Sequence, residues 1–220
     1  MIAPHLISDA LPILHTDDSG EHALIQMHEF NVNQLPVIEN GKYIGLVTME
    51  EVISMKHLSK PLNELVKTFR QPFVLNNAHI FDVMKAALEF NVRLIPVVNE
   101  HHQYLGTISA ESCLRAFAVL NSVNQSGAII ELEIAQHDYS LAELAGIVEE
   151  AHATVLCLYS HINTESGNME VTLKVNITDI TQMVQSFERF NYEVKAVYND
   201  VEYSEDMKDR YDALMRYLNV

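Results

Sequence analysis

Apolar and polar positions alternate along this chain in two rhythms, one of period two and one of spacing three and four. The runs "PILH" (12–15) and "PFVL" (72–75) read as short strands. Each is followed by a helix of about ten residues, with apolar positions such as Leu24 and Met27, or Met84 and Ala87, three apart. Asn31 and Asn91 close these helices, because Asn tolerates the left-handed conformation that ends them. A strand then opens at Pro36 or Pro96, where no ladder donor is required. Asn40-Gly41 predicts a tight hairpin and "NEHHQ" (99–103) a longer loop. The second hairpin strands are "KYIGLV" and "QYLGTI", and a closing helix follows each. The order is β-α-β-β-α, written twice.

The duplication is visible residue by residue. "EFNVNQLPV" (29–37) and "EFNVRLIPV" (89–97) match at an offset of 60, as do Pro12 with Pro72 and Pro36 with Pro96. Past Val98 the offset is 61, so Tyr43 and Gly45 fall on Tyr104 and Gly106. A period this long points to a duplicated half-domain rather than a solenoid turn.

A different pattern follows the polar stretch "NSVNQSG" (121–127), which reads as a linker. "AIIELEIA" alternates as a strand, and Leu141, Leu144, Ala145, Val148 and Ala151 share a helical face. "TVLCLYSHI" and "NMEVTLKVN" form a hairpin through "NTESG", with Met169, Val171, Leu173 and Val175 on one side. Ile180, Met183, Val184 and Phe187 mark a second helix and "YEVKAVY" a last strand. This order, β-α-β-β-α-β, is ferredoxin-like. Beyond it, Met207, Tyr211, Leu214, Met215 and Leu218 form the apolar stripe of a C-terminal helix, expected to pack on this domain or across a dimer.

Composition narrows the function. The chain has 220 residues, 48% of them hydrophobic, and a net charge of −16. The charge is −5 over residues 1–125 and −11 over 126–220, with no basic cluster, so nucleic acid is not an expected partner. No run approaches the roughly 18 apolar residues of a membrane span, and no basic region precedes the apolar N-terminal residues; a soluble, cytoplasmic protein is expected. Cys113 and Cys157 make neither a metal spacing nor a disulfide framework and read as buried packing residues. Among the eleven histidines, the adjacent His101 and His102 do not converge on one ion by themselves, and His28, which falls on Leu88 of the other repeat, reads as a partly buried packing residue. No metal is predicted. No Walker loop, dinucleotide fingerprint or Ser-His-Asp signal is present.

Each repeat resembles a CBS domain. The resemblance rests on the Pro-Val that opens the strand and on "GLVTMEE" from Gly45 and "GTISAES" from Gly106, where the family carries Gly, two hydrophobic residues, Ser or Thr, and an Asp three positions on. It implies one pseudo-symmetric module built from unit 1 (residues 1–60) and unit 2 (61–120), with adenosine-containing ligands in the clefts. By position, the phosphate-side hydroxyls are Thr48 and Ser109, and the ribose positions are Glu51 and Ser112. Neither copy has the Asp. The resemblance also places a basic side chain at Arg93, where the first copy has Asn33; an Arg fork suits phosphate oxygens, and the alternative is a solvated loop charge. For Thr48 and Glu51 the alternative is a capping box, since Thr-x-x-Glu at a helix start caps that helix reciprocally.

The third domain (128–200), with a tail at 201–220, is similar to an ACT domain in its element order and in "LAELAGIVEEAHATVLCLYS". Amino-acid-binding ACT domains usually carry a Gly just before the first helix; Tyr139 stands there, which argues against free amino acids as ligands. The combined order resembles regulatory proteins associated with acetoin utilisation. Together these readings imply a non-catalytic, homodimeric regulator that senses AMP, ADP, ATP or S-adenosylmethionine and signals to a metabolic enzyme or other target. The alternative is a ligand-free dimerisation and interaction module, with an enzyme acting on a small metabolite a distant third.

Overall fold

The computed structural model describes residues 1–8 and 11–199; the expected C-terminal helix lies outside them. Packing divides the chain into two compact units, Met1–Phe117 and the residues from Ala118 onward.

In the first unit both repeats form the predicted elements. The first contains β1 (Leu14–His15), α1 (Gly20–Glu29), β2 (Gln34–Glu39), β3 (Lys42–Thr48) and α2 (Met49–Ile53). The second contains β4 (Val74–Leu75), α3 (Ile80–Phe90), β5 (Leu94–Val98), β6 (Tyr104–Ser109) and α4 (Ala110–Leu120). Each makes a three-stranded sheet, β1-β2-β3 or β4-β5-β6, whose first pair is parallel and second antiparallel. Local chemistry sets the breaks: Ser19 accepts the His22 N–H at 3.2 Å to start α1, and Asn31 and Asn91 turn left-handed (φ 52° and 51°) after α1 and α3. Asn40 and Gly41 both take positive φ, the requirement of a two-residue hairpin of the primed type.

The cores do not follow the linear order of the repeats. Residues 1–8 precede the first repeat, yet Ala3 and Leu6 are buried in the core of the second, with Ile80, Ile95 and Ile108. Leu62 and Phe69, from the connection between the repeats, fill the core of the first with Leu14, Leu35 and Val47. Backbone bridges repeat the exchange: Ser8 pairs with Thr107 on β6, and Arg70 with Leu46 on β3. The equivalent glycines Gly45 and Gly106 make room for it. A Cβ at Gly45 would lie 2.6 Å from Phe69 Cβ and 2.9 Å from the Arg70 oxygen, and one at Gly106 would collide with Ile7.

The two sheets of this unit also touch. Tyr43 N–H donates to the His102 carbonyl and Tyr104 N–H to that of Gly41. Tyr43 is buried with Ile38 and Val98, and its hydroxyl donates to the Pro72 carbonyl at 3.0 Å. Burial first, and then Tyr104 beside it, hold the Tyr43 phenol far above its ordinary pKa.

The second unit contains β7 (Ala128–Ile134), α5 (Leu141–Glu150), β8 (Val155–Ile162), β9 (Met169–Val175), α6 (Thr181–Arg189) and β10 (Glu193–Asn199). Its antiparallel sheet runs β10-β7-β9-β8, the ferredoxin-like order. Alternate residues Ala128, Ile130, Leu132 and Ile134 meet Leu144, Ile147, Val148, Met183 and Phe187 in one core. Two readings shift here. Leu141 is 54% exposed because it sits in the first turn after the Ser140 cap, and Ile147 takes its place among the residues facing the sheet. Cys113 is buried as expected, but Cys157 is only half-buried. No helix among the described residues is long and apolar enough to cross a membrane.

Candidate functional site

The predicted binding residues separate into three groups. Thr48 and Glu51 engage each other: Glu51 Oε2 accepts both the Thr48 N–H (2.8 Å) and its hydroxyl (2.9 Å), while Thr48 Oγ1 accepts the Glu51 N–H at 3.2 Å. This is a complete capping box at the start of α2. Ser109 and Ser112 repeat it in reduced form at the start of α4, with the Ser112 N–H on Ser109 Oγ (3.0 Å) and the hydroxyls 3.0 Å apart. A carboxylate is missing at the second position, and at the first one of its oxygens is engaged at the start of its own helix.

Asn33 and Arg93, the third group, meet. They occupy the same place in the two repeats, just before β2 and β5, and both line one cavity of about 530 Å³. The seam beneath them is made by Gln34, which is 5% exposed. With its amide oxygen turned toward the second repeat, Gln34 accepts the N–H groups of Arg93 (2.6 Å) and Leu94 (3.3 Å). The N–H of Met49 reaches the Asn33 carbonyl (2.8 Å), and that of Ala110 reaches Arg93's (2.9 Å). Backbone on both sides is thereby fixed, and the side chains of Asn33 and Arg93 are left to the cavity.

Two polar residues that the sequence reading did not assign to the site join them. Asn31, read as a helix terminator, also contributes its amide, and His28 stands at the cavity wall. His28 is exposed rather than packed: Met27, one position earlier, takes the buried face of α1, and a step of one residue turns about 100° around the helix. Met27, Met49 and Leu94 supply apolar wall. The side chains of His28, Asn31, Asn33 and Arg93 have no hydrogen-bond or ion-pair partner among the described residues. The cavity thus offers a guanidinium fork, two amides and an imidazole over thioether and aliphatic surface. Such a set suits a ligand with an anionic end and a flat apolar body.

In the second unit the polar groups around a hollow of about 430 Å³ are mostly paired with one another. Glu133 accepts from Asn168 Nδ2 (2.7 Å) and Lys195 Nζ (2.7 Å), and these bonds, Lys195 foremost, hold its carboxyl down at about 2. The Tyr192 hydroxyl donates to Glu143, and burial followed by that carboxylate pushes the phenol well above its ordinary range. Tyr139, in the loop before α5, packs partly buried against the core of the domain. No cluster of three or more His, Cys, Asp or Glu side chains able to hold a metal occurs among the described residues.

Two β-α-β-β-α repeats around a shared cleft define a tandem module, and comparison identifies it. The profile of the CBS domain family matches residues 5–57 and 61–119, together just over half of the chain, and the chain belongs to that family. An uncharacterized protein of Methanocaldococcus jannaschii is 27% identical over 100 residues, 46% of this chain; the match spans 38% of the relative's length. A CBS domain pair/ACT domain protein of Thermotoga maritima is similar in structure over 54% of this chain and 98% of its own, at 20% identity and a TM-score of 0.49. A CBS domain pair solved in complex with 5′-methylthioadenosine and S-adenosyl-L-methionine aligns over 54% of this chain and 97% of its own, at 18% identity and a TM-score of 0.44.

Proposed function

We propose that the cleft between the repeats binds an adenosine compound carrying an anionic group, and that the chain is a non-catalytic regulator passing cleft occupancy to a partner. The observation that carries this reading is the convergence of Arg93, Asn33, Asn31 and His28, all without protein partners among the described residues, on one cavity that also has apolar wall. CBS domains as a family bind adenosyl ligands in regulatory roles, which supplies the class. Arg93 supplies the anion selectivity, since its fork matches phosphate or carboxylate oxygens. AMP, ADP and ATP present phosphates and S-adenosylmethionine a carboxylate, so all four fit this chemistry. One oxygen of the Glu51 carboxylate is engaged by Thr48, so the matching motif offers the ribose at most the other, and affinity rests mainly on the anion and the base.

Signalling would follow from the seam. A ligand touching both Asn33 and Arg93 favours the arrangement of the repeats that it fits, by as much as its differential affinity. The second unit serves in this reading as an ACT-like interaction element, and the working assembly is a homodimer acting on a metabolic enzyme or other target. A ligand-free interaction module is the second reading. It is favoured by the capping bonds that already engage Thr48, Glu51, Ser109 and Ser112.

Calorimetric titration with AMP, ATP, S-adenosylmethionine and uncharged adenosine separates the two. The proposed function expects the compounds that carry a phosphate or carboxylate to bind and adenosine to bind more weakly. No binding of any of them at millimolar concentration would leave the interaction module as the better account.

A further inference from the structure

The helix that closes the second repeat starts in one unit and ends in the other. At the start of α4 the Ala110 N–H donates to the Arg93 carbonyl at 2.9 Å, and Cys113 and Ala116 are buried in the core of the repeat. From Ala118 onward the chain packs with the second unit. There α4 ends in a left-handed turn. Ser122 takes φ 51°, its N–H donates to the Val119 carbonyl (3.1 Å), and the Val123 N–H reaches back to that of Ala118 (2.9 Å). Gly is the usual residue at such a position and Asn its usual substitute, as at Asn31 and Asn91; a Ser there is strained by its Cβ. A contact from outside the turn offsets that strain.

Lys174 supplies the contact. It lies on β9 between Leu173 and Val175, which are buried with Leu144 of α5 and Phe187 of α6, so its side chain is on the helix-free face of the sheet. Its Nζ donates to the Ser122 carbonyl at 2.8 Å and to the Val123 carbonyl at 3.2 Å. An ammonium at this place also meets the negative end of the helix dipole. The Gln125 N–H donates to the Ser122 carbonyl as well (3.0 Å), and Gly127 lies so close to β9 that a Cβ there would collide with the Val175 carbonyl. Both ends of the polar stretch 121–127 are thereby held at neighbouring residues of one strand. Residues 126–220 carry a charge of −11, and Lys195 pairs with Glu133 and Glu193, whereas Lys174 is given to backbone oxygens.

We propose that Lys174 is a latch that fastens the end of α4 to the four-stranded sheet, so that the stretch 121–127 works as a fixed joint and a displacement of α4 is passed to the sheet. The latch stands on its own geometry. Its use as a regulatory route rests on the cleft being a ligand site: a ligand that shifts Arg93 shifts the start of α4 through the Ala110 bond, and Lys174 holds the other end of the same helix.

Residue-resolved hydrogen exchange of the full chain tests this. The wild type is compared with Lys174→Met, which keeps the aliphatic stem and removes the ammonium, and with Lys174→Arg, which keeps a cation; Lys174→Gln serves if the Met variant does not fold. The Ser122, Val123 and Gln125 amides should exchange about tenfold faster in Lys174→Met and regain their protection in Lys174→Arg, while the Val171 and Leu173 amides stay as in the wild type. Equal exchange in the wild type and the Met variant would overturn the latch. A loss that Arg does not repair would place the effect in packing rather than charge, and would overturn it too. With AMP as the probe, exchange in the wild type should change around Arg93 and Ala110 and also along β8 and β9, and in Lys174→Met around Arg93 and Ala110 alone. A response along β8 and β9 that survives in Lys174→Met would overturn the route through Lys174. If AMP changes no amide of the first unit, the reading of the cleft fails instead, and the comparison without AMP still decides the latch.

Discussion

Glu51 Oε2 accepts two bonds from Thr48, one from its backbone N–H and one from its hydroxyl, at 2.8 and 2.9 Å. A single carboxylate oxygen therefore closes the start of α2, and the residue at the family's ribose position has a structural role there. Thr48→Ala should lower stability by about 1 kcal/mol, as loss of a helix cap does, and leave cleft affinity unchanged. Glu51→Gln keeps an acceptor oxygen in place, so both stability and affinity should match the wild type. Urea denaturation and calorimetry on the two variants check both statements. A tenfold loss of affinity in Glu51→Gln with stability intact would return this residue to the ligand site.

Arg93 is expected to carry most of the charge recognition. Charge-assisted hydrogen bonds are worth roughly 1.5–3 kcal/mol, so Arg93→Ala should weaken binding of an anionic adenosine compound on the order of tenfold to a hundredfold. Binding of uncharged adenosine should change little. Stability should be nearly unaffected, because the guanidinium has no partner among the described residues. Parallel titrations of wild type and variant decide the matter, and equal losses for charged and uncharged ligands would contradict it.

Gly45 is held by an obstacle that cannot be trimmed, since both nearest groups, Phe69 Cβ and the Arg70 carbonyl, are present whatever side chain stands there. Gly45→Ala should destabilise the first unit by ~1–3 kcal/mol, the usual range for overpacking. At Gly106 the obstacle is the Ile7 side chain, and the backbone itself sits at φ 150°. Adding Ile7→Ala to Gly106→Ala should therefore recover part of the loss through relief of the collision. Denaturation midpoints of the single and double variants give the comparison.

Glu133 gives the second unit an acid dependence. Its carboxyl is held at about 2 by Lys195 and Asn168, below the 4.5 of a free glutamate, so its contribution to stability is complete above pH 4.5 and is lost as the pH falls toward about 2. Glu133→Gln should flatten the stability profile of the protein across that window and leave its shape above pH 5 unchanged. Thermal melts at half-unit pH steps measure this; an unchanged slope below pH 4.5 would count against the ion pair.

Free amino acids are expected not to bind the second unit. Tyr139 packs partly buried against the core just before α5, where the amino-acid-binding ACT domains that this unit resembles usually carry a glycine. Calorimetry with the twenty amino acids should register no heat beyond dilution. A low-micromolar dissociation constant for any of them would reverse this assignment.

The chain's local decisions are legible in its sequence because each is settled within a few neighbouring residues. The Thr48 box needs only residues three apart, the left-handed Asn31 and Asn91 end their helices by their own conformational tolerance, and period-two and period-3.6 patterns separate strand from helix. The duplication and the β-α-β-β-α-β order of the second unit follow from such signals, and the family resemblance rests on the Pro-Val, "GLVTMEE" and "GTISAES" motifs. What the tertiary structure decided is which distant residues share a surface. Residues 1–8 complete the second repeat and residues 62–69 the first, an exchange that depends on the fit of Ile7 over Gly106 and Phe69 over Gly45 and leaves no periodic mark in the sequence. The same packing joins Asn33, Arg93, His28 and Asn31 around one cavity, while Thr48, Glu51, Ser109 and Ser112 make the caps of α2 and α4. Motif positions name the residue types a site requires. Whether their side chains reach a common space depends on long-range packing, where the free energy comes from burial across the fold rather than from any one segment.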